Sequence, residues 1–447
     1  MEQVLSCNDR NDSTQVNSCL VSYVAKCAES YNNRIDSEQD IYRLALILTH
    51  SKLFEENREF CVSKLLSLLS VDLLESTLKF IISYIMLCAV KIDSSLLELL
   101  LNFQGFTVVY NNLYNQFAYL SRYGDDALED QQKSEIDVEI IEGMKKTATI
   151  LIDILFQELK FSKCEISNIQ IVDDFFVYYL MSTLRSDTTT DIFNNAKFKL
   201  LLALSEQYMI SSYKYEIENK VAKYLMNHAV SQNFIGLLLL KFNRITDRAL
   251  QIMMCKVVYL ILTSKDDLAK DFFYVNDLHV FVDVLIRELM NISEDEELTR
   301  NTFLRVLLPL LRNTVLATTH YRKADLVQTL EYLSLPDNFC SSSEIKNEHK
   351  TTARLAAKCF DSVSWLNNSA EDSAVYEGDN SRDSSVSEGS FLQQSLTERN
   401  ANRLYKSQNS SHSAESISKR YQPPPLPPAR KVPSRLGSGQ KIAQFRP

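Results

Sequence analysis

The stretch Phe303-Leu304-Arg305-Val306-Leu307-Leu308-Pro309-Leu310-Leu311 decides how the rest of the chain is read. Phe303, Val306, Leu307, Leu310 and Leu311 recur at intervals of three and four, the spacing of one face of an α-helix. Leu304 and Leu308 fill the opposite side, so the spacing predicts a helix covered all round. Ile150, Leu151, Ile154, Leu155 and Leu159 repeat the stripe. Apolar segments at 65–90, 175–184, 198–210, 234–240, 250–262 and 278–290 carry the pattern along the chain. Roughly fifteen to eighteen helices of ordinary length follow from it, too many for one simple bundle. The expected fold is therefore all-α, an armadillo- or HEAT-like helical solenoid whose stacked hairpins bury their faces against successive neighbours. No clean repeat period is visible, so the repeats must be degenerate. An irregular multi-helix globule is the alternative.

Composition removes the other fold classes. Only 8 of 447 residues are glycine and 9 are proline. Four glycines (Gly105, Gly124, Gly143, Gly236) precede residue 370, and before residue 420 proline occurs as Pro309 and Pro336 alone. A large all-β fold needs turn residues at short intervals, and a parallel α/β enzyme needs glycine at its phosphate-binding turns. Neither supply exists. Apolar residues at 45% are enough for a large core.

The expected domains are a flexible N-terminus at 1–15, an armadillo-like helical domain at 16–366, and a disordered serine-rich, proline-containing tail at 367–447. Between Asn367 and Ser418 stand 14 serines and few large apolar residues, too little burial to offset the entropy of ordering. Residues 403–447 carry nine Lys or Arg and one Glu, a net +8; with −9 overall, the remainder bears −17. An acidic body argues against nucleic-acid binding. Two acidic breaks, Gly124–Glu139 and Glu294–Glu297, are expected as exposed loops, the second opening a helix.

Nine scattered cysteines with no CxxC pair fit reduced, buried thiols. No signal peptide is visible at the N-terminus. The longest apolar run, Phe80 to Val90, is half the ~20 residues a bilayer needs, so a buried core helix and no membrane insertion are expected. The expected location is cytoplasmic. No phosphate-binding loop, nucleophile elbow or zinc-protease motif occurs, and the six histidines are dispersed. The chain is expected to be no enzyme, with no cofactor and no metal.

One motif in the tail has a clear mechanism. Residues 420–430, Arg-Tyr-Gln-Pro-Pro-Pro-Leu-Pro-Pro-Ala-Arg, form a polyproline II segment, since proline fixes φ. SH3 domains receive PxxP ridges in aromatic grooves and read a flanking cation. Pro425, Pro428 and Arg430 give PxxPxR; the reversed register fails because Leu426 stands where it needs proline. The SH3-binding motif is placed at 423–430.

Two motifs in the folded part add a resemblance. Residues 199–209, Lys-Leu-Leu-Leu-Ala-Leu-Ser-Glu-Gln-Tyr-Met, resemble the "KLLLALNEQF" signature of the WISH/DIP family of actin regulators. Leu307 to Thr314, followed by Tyr321-Arg322-Lys323, resembles that family's "PLLRNT…YK" segment, and Thr352–Cys359 with Trp365-Leu366 is similar to its closing helix. The resemblance is good over 170–366 and weaker before it. It implies an armadillo-like protein that binds and activates the actin-related protein 2/3 complex without a pre-existing filament. The product is a linear actin filament that can seed branching. For fungal members it further implies endocytic cortical actin patches and SH3-domain endocytic adapters as partners. This chain departs in three places: Ser205 stands for asparagine, Tyr208 for phenylalanine, and Thr319-His320 for the His-Pro expected before the tyrosine.

Leu200, Leu201, Leu204 and Tyr208 sit at helical spacing and are expected in the core. Glu206 and Gln207 either face a partner or satisfy a neighbouring helix end, and the latter is favoured. Arg312, Asn313, His320, Tyr321, Arg322 and Lys323 are the candidate partner interface, a cationic and aromatic composition suited to an anchor. Asn313 and Thr314 are equally good capping residues. Two further functional readings are a passive helical scaffold with the same tail, and an enzyme with an unrecognised site.

Overall fold

Short polar side chains set where helices begin. In the computed structural model, which describes residues 5, 12–34, 37–124, 135–162, 164–186, 190–212, 215–264, 269–339 and 349–367, Ser37, Ser51, Asp173, Asn219 and Asp247 each accept a backbone N–H two or three residues on. Such caps satisfy donors that the first helical turn leaves free. Asp12 does the same for Thr14, so the first helix, Ser13–Arg34, starts before the expected boundary of 16. Val16 and Leu20 in it are already core.

Among the described residues the fold is all α with one short 3-10 turn, as the pattern implied. Single- and double-turn helices such as Lys52–Glu56, Leu96–Asn102, Ile166–Ile171 and Leu316–Thr319 raise the number above eighteen. Long helices make a row in which each packs on the next: Ser76–Ile92, Glu135–Phe161, Ile192–Ser212, Arg248–Leu262, Glu297–Asn313 and Lys350–Ser362. This is the stacking of a helical solenoid. A second row, including Asp174–Ser182, His228–Phe242, Val275–Asn291 and Lys323–Ser334, packs beside it.

The repeat absent from the residue pattern is present in side-chain links. Polar contacts between neighbouring spine helices, and from the short helix Ser364–Asn367 that follows the last of them, join residues 46 apart (Lys160 with Glu206) to 54 apart (Trp365 with Leu311). Lys256 with Glu206, Asn313 with Leu262 and Thr352 with Asn301 fall between. The period lies in geometry and is written in different residue types each time.

The Phe80–Val90 run is a core helix, with every residue from Ile81 to Val90 except Tyr84 buried. Each buried Leu or Ile contributes about 1.5–3 kcal/mol. No described helix is long and apolar enough to cross a membrane. The seven described cysteines are free thiols, five of them buried. Of the first acidic break, Glu135 to Glu139 is the opening of a helix, not loop. Residues 125–134, most of the expected N-terminal segment, the serine-rich tail after Asn367, and Pro425, Pro428 and Arg430 lie outside the described residues. The described residues up to Leu366 belong to one compact unit.

Candidate functional site

The helix Glu297–Asn313 organises the C-terminal part. Its apolar residues are buried on nearly every side: Phe303, Leu304, Val306, Leu307, Leu310 and Leu311 are almost inaccessible, and Leu308 is half-buried. Pro309 sits inside it and offers no N–H to the Arg305 carbonyl. At its end Asn313 donates to Leu262 O (2.8 Å), the last carbonyl of Arg248–Leu262. Thr314 closes the same turn by donating to Leu310 O (2.7 Å). Trp365 Nε1 donates to Leu311 O (3.2 Å), another carbonyl at the helix end.

The loop after it is held in an unusual backbone. His320 (φ 49°) and Arg322 (φ 56°) are both left-handed, a region that costs a non-glycine residue about 1 kcal/mol or more. Side-chain contacts offset that cost. His320 stacks on Trp365 at 4.9 Å, and Tyr321 stacks on His279 at 3.8 Å, nearly parallel. Tyr321 donates its hydroxyl to Asp283 (3.2 Å). Arg322 bonds Asp325 at 2.6 Å and Asp283 at 3.1 Å, and its bond to Asp325 is the largest of the influences that hold the guanidinium charged. Proline fixes φ near −65°, so the His-Pro pattern cannot be built on this backbone at 320. The cluster chosen for its composition is thus largely engaged within the chain.

Arg312 points elsewhere. With Arg305 and Lys358 it lines a groove floored by Leu304, Leu308, Pro309 and Leu355, with Tyr259 and Thr263 opposite. All three cations are exposed. Sequence reading missed Arg305 and Lys358. They come from helices 53 positions apart, so only the packing joins them.

The 199–209 motif lies in the Ile192–Ser212 helix and joins the spine on both sides. Gln207 Nε2 donates to Leu159 O (2.6 Å), at the end of Glu135–Phe161, which is the helix-end role. Glu206 bonds both Lys160 (3.1 Å) and Lys256 (2.5 Å). Burial works against its ionisation, but the hydrogen bonds and charges of Lys256 and Lys160 outweigh it and hold the carboxyl below its ordinary range. Tyr208 and Ser205 are each about 1% exposed, and neither hydroxyl has a hydrogen-bond partner among the described residues. These are two of the departures from the family motif. Phenylalanine at 208 would leave no such group.

A different carboxylate stands alone. Glu158 is fully buried, neither carboxylate oxygen has a hydrogen-bond partner among the described residues, and burial pushes its carboxyl up to about 8. Among the described residues no three His, Cys, Asp or Glu side chains gather as a metal site.

The geometry is that of a helical-repeat protein. The leucine-rich domain of the SPIN90/Ldb17 family matches residues 190–326. Protein LDB17 of Eremothecium gossypii is 56% identical over 368 residues, 82% of this chain and 80% of that protein. Protein LDB17 of Saccharomyces cerevisiae is 52% identical over 436 residues, 92% and 88% of the two chains. Protein dip1 of Schizosaccharomyces pombe is 28% identical over 204 residues, 44% and 52% respectively. This chain belongs to the SPIN90/Ldb17 family. The motifs at 199–209 and 307–323 both fall inside the matched domain; Lys358 and Trp365 fall outside it.

Proposed function

We propose that this protein is a non-enzymatic activator of the actin-related protein 2/3 complex that starts linear actin filaments at endocytic cortical patches. Family membership, with both signature motifs in the matched domain, carries the reading. The construction of the body supports it. Activation without chemistry is a population shift, and moving a partner from 1:99 to 99:1 takes about 5.5 kcal/mol of differential binding. A compliant binder would deform instead of biasing its partner. Here Gln207, Glu206, Asn313 and Thr352 fasten the spine helices from Glu135–Phe161 to Lys350–Ser362 each to the next, which stiffens the body along its row.

Arg312, Asn313, His320, Tyr321, Arg322 and Lys323 are the proposed contact region for the complex. The loop held by Asp283 and Asp325 would then present a fixed shape, with little ordering left to pay on binding. In the tail, Pro425, Pro428 and Arg430 would hold an SH3 adapter at the cytoplasmic face of the cortex. Arg430→Ala is expected to abolish SH3 capture and leave filament formation unchanged; undiminished binding of that variant's tail peptide overturns the register.

Single-filament microscopy tests the activity. With actin, purified complex and this protein, unbranched filaments should arise away from any existing filament. Their absence, with the protein nonetheless bound to the complex, makes it the passive scaffold.

A further inference from the structure

Arg305 and Arg312 are seven residues apart on one helix, two turns and about 10 Å along its axis. Lys358, from Lys350–Ser362, completes a triangle of cations over the groove of about 500 Å³. Among the described residues none of the three makes a hydrogen bond or ion pair, although elsewhere on the same helices polar side chains do: Arg300, Asn301 and Thr352 are all bonded. Among the described residues no carboxylate lines the groove. It therefore inverts the sign of the chain around it, whose residues 1–402 carry −17. Three like charges around an apolar floor repel one another unless an anion completes the site.

The floor narrows the choice of anion. Leu308 and Leu355 are half-buried and leave apolar surface between the cations. Inorganic phosphate would meet the charges and leave that surface wet. Nucleic acid would be repelled by the rest of the body. We propose that this groove binds an acidic peptide segment of a partner protein, its carboxylates on Arg305, Arg312 and Lys358 and an apolar side chain on Leu308, Pro309 and Leu355. In a polyproline II-like peptide, with three residues per turn, carboxylates three residues apart share one face and span about 9 Å, which matches the two arginines. Arginine suits the role, since its fork takes a carboxylate in two parallel bonds.

Arg312 belongs also to the contact region proposed above, but the test reads peptide binding and not actin assembly, so either reading can fail without the other. The test is fluorescence anisotropy of the full-length protein, with a labelled twelve-residue peptide of leucines and glutamates, the glutamates three apart. A peptide with glutamine at every glutamate is the comparison. Binding should be saturable, and Arg305→Glu with Arg312→Glu should weaken it about tenfold or more, while Arg43→Glu, far along the chain, should not. The glutamine peptide should bind at least about tenfold more weakly. Equal binding of the two peptides, or by the double variant and the natural protein, overturns the proposal. So does self-association of the protein that the double variant abolishes, which would make a second copy the occupant.

Discussion

The two ends of the Glu297–Asn313 helix use the same residue type in opposite ways. At the N-terminal end Arg300 is about 1% exposed, donates to Ile292 O (2.8 Å) and Ser293 O (2.9 Å), reaches His349 Nδ1 at 3.3 Å and lies over the Phe339 ring. It closes the carbonyl end of Val275–Asn291 and ties in the start of Lys350–Ser362. From the middle of the helix to its C-terminal end, Arg305 and Arg312 are exposed and, among the described residues, unpaired. A charge matched inside the chain maintains the fold; a charge left unmatched over an apolar floor is available to a partner.

Arg300→Met should break the contrast most visibly. It leaves the buried Ile292 carbonyl and the partly buried Ser293 carbonyl without donors, so a loss of about 3 kcal/mol is expected in denaturant unfolding. A loss below about 1 kcal/mol would show that the matched end is not structural.

Glu206 and Glu158 extend the contrast to carboxylates. Glu206→Gln should cost about 1–2 kcal/mol at pH 7. Because its folded pKa is depressed, the contribution is present above its unfolded value near 4.5 and is lost as pH falls through the folded one. Glu158 has the opposite sign. Raised to about 8, it favours the fold below its unfolded value, and that advantage is lost as pH rises toward 8. Glu158→Gln should therefore gain on the natural protein between pH 5 and pH 8.5, when melting temperatures are compared across that range.

Tyr208→Phe removes a buried hydroxyl that has no partner among the described residues, and should stabilise by about 1 kcal/mol. Calorimetry showing the variant to be less stable would mean the hydroxyl is satisfied in solution. The smallest effect is expected at the open end. Arg305→Glu with Arg312→Glu should leave stability within about 0.5 kcal/mol of the natural protein.

How much of this was legible follows the same division. Helical class was readable because periodicity at Phe303–Leu311 and the shortage of glycine are local properties. Caps were readable in principle, and Asp12 is a cap that places the first helix earlier than its apolar pattern does. The spine period was not readable, because the links that realise it use Lys–Glu, Asn–carbonyl and Trp–carbonyl pairs in turn. At the candidate site, composition found Arg312 and the 320–323 cluster. It did not show that Asp283, 38 positions before Tyr321, engages that cluster, nor that Lys358 joins Arg312. Left-handed backbone at His320 and Arg322 gave no glycine to signal it.

The central claim is that a stiff helical body activates its partner by binding alone. Bulk actin assembly tests it most directly, with purified actin-related protein 2/3 complex, full-length protein and no preformed filaments. The account expects the lag to shorten as the protein is added, and to stay unchanged when the complex is left out. A lag that does not shorten with both present would contradict it.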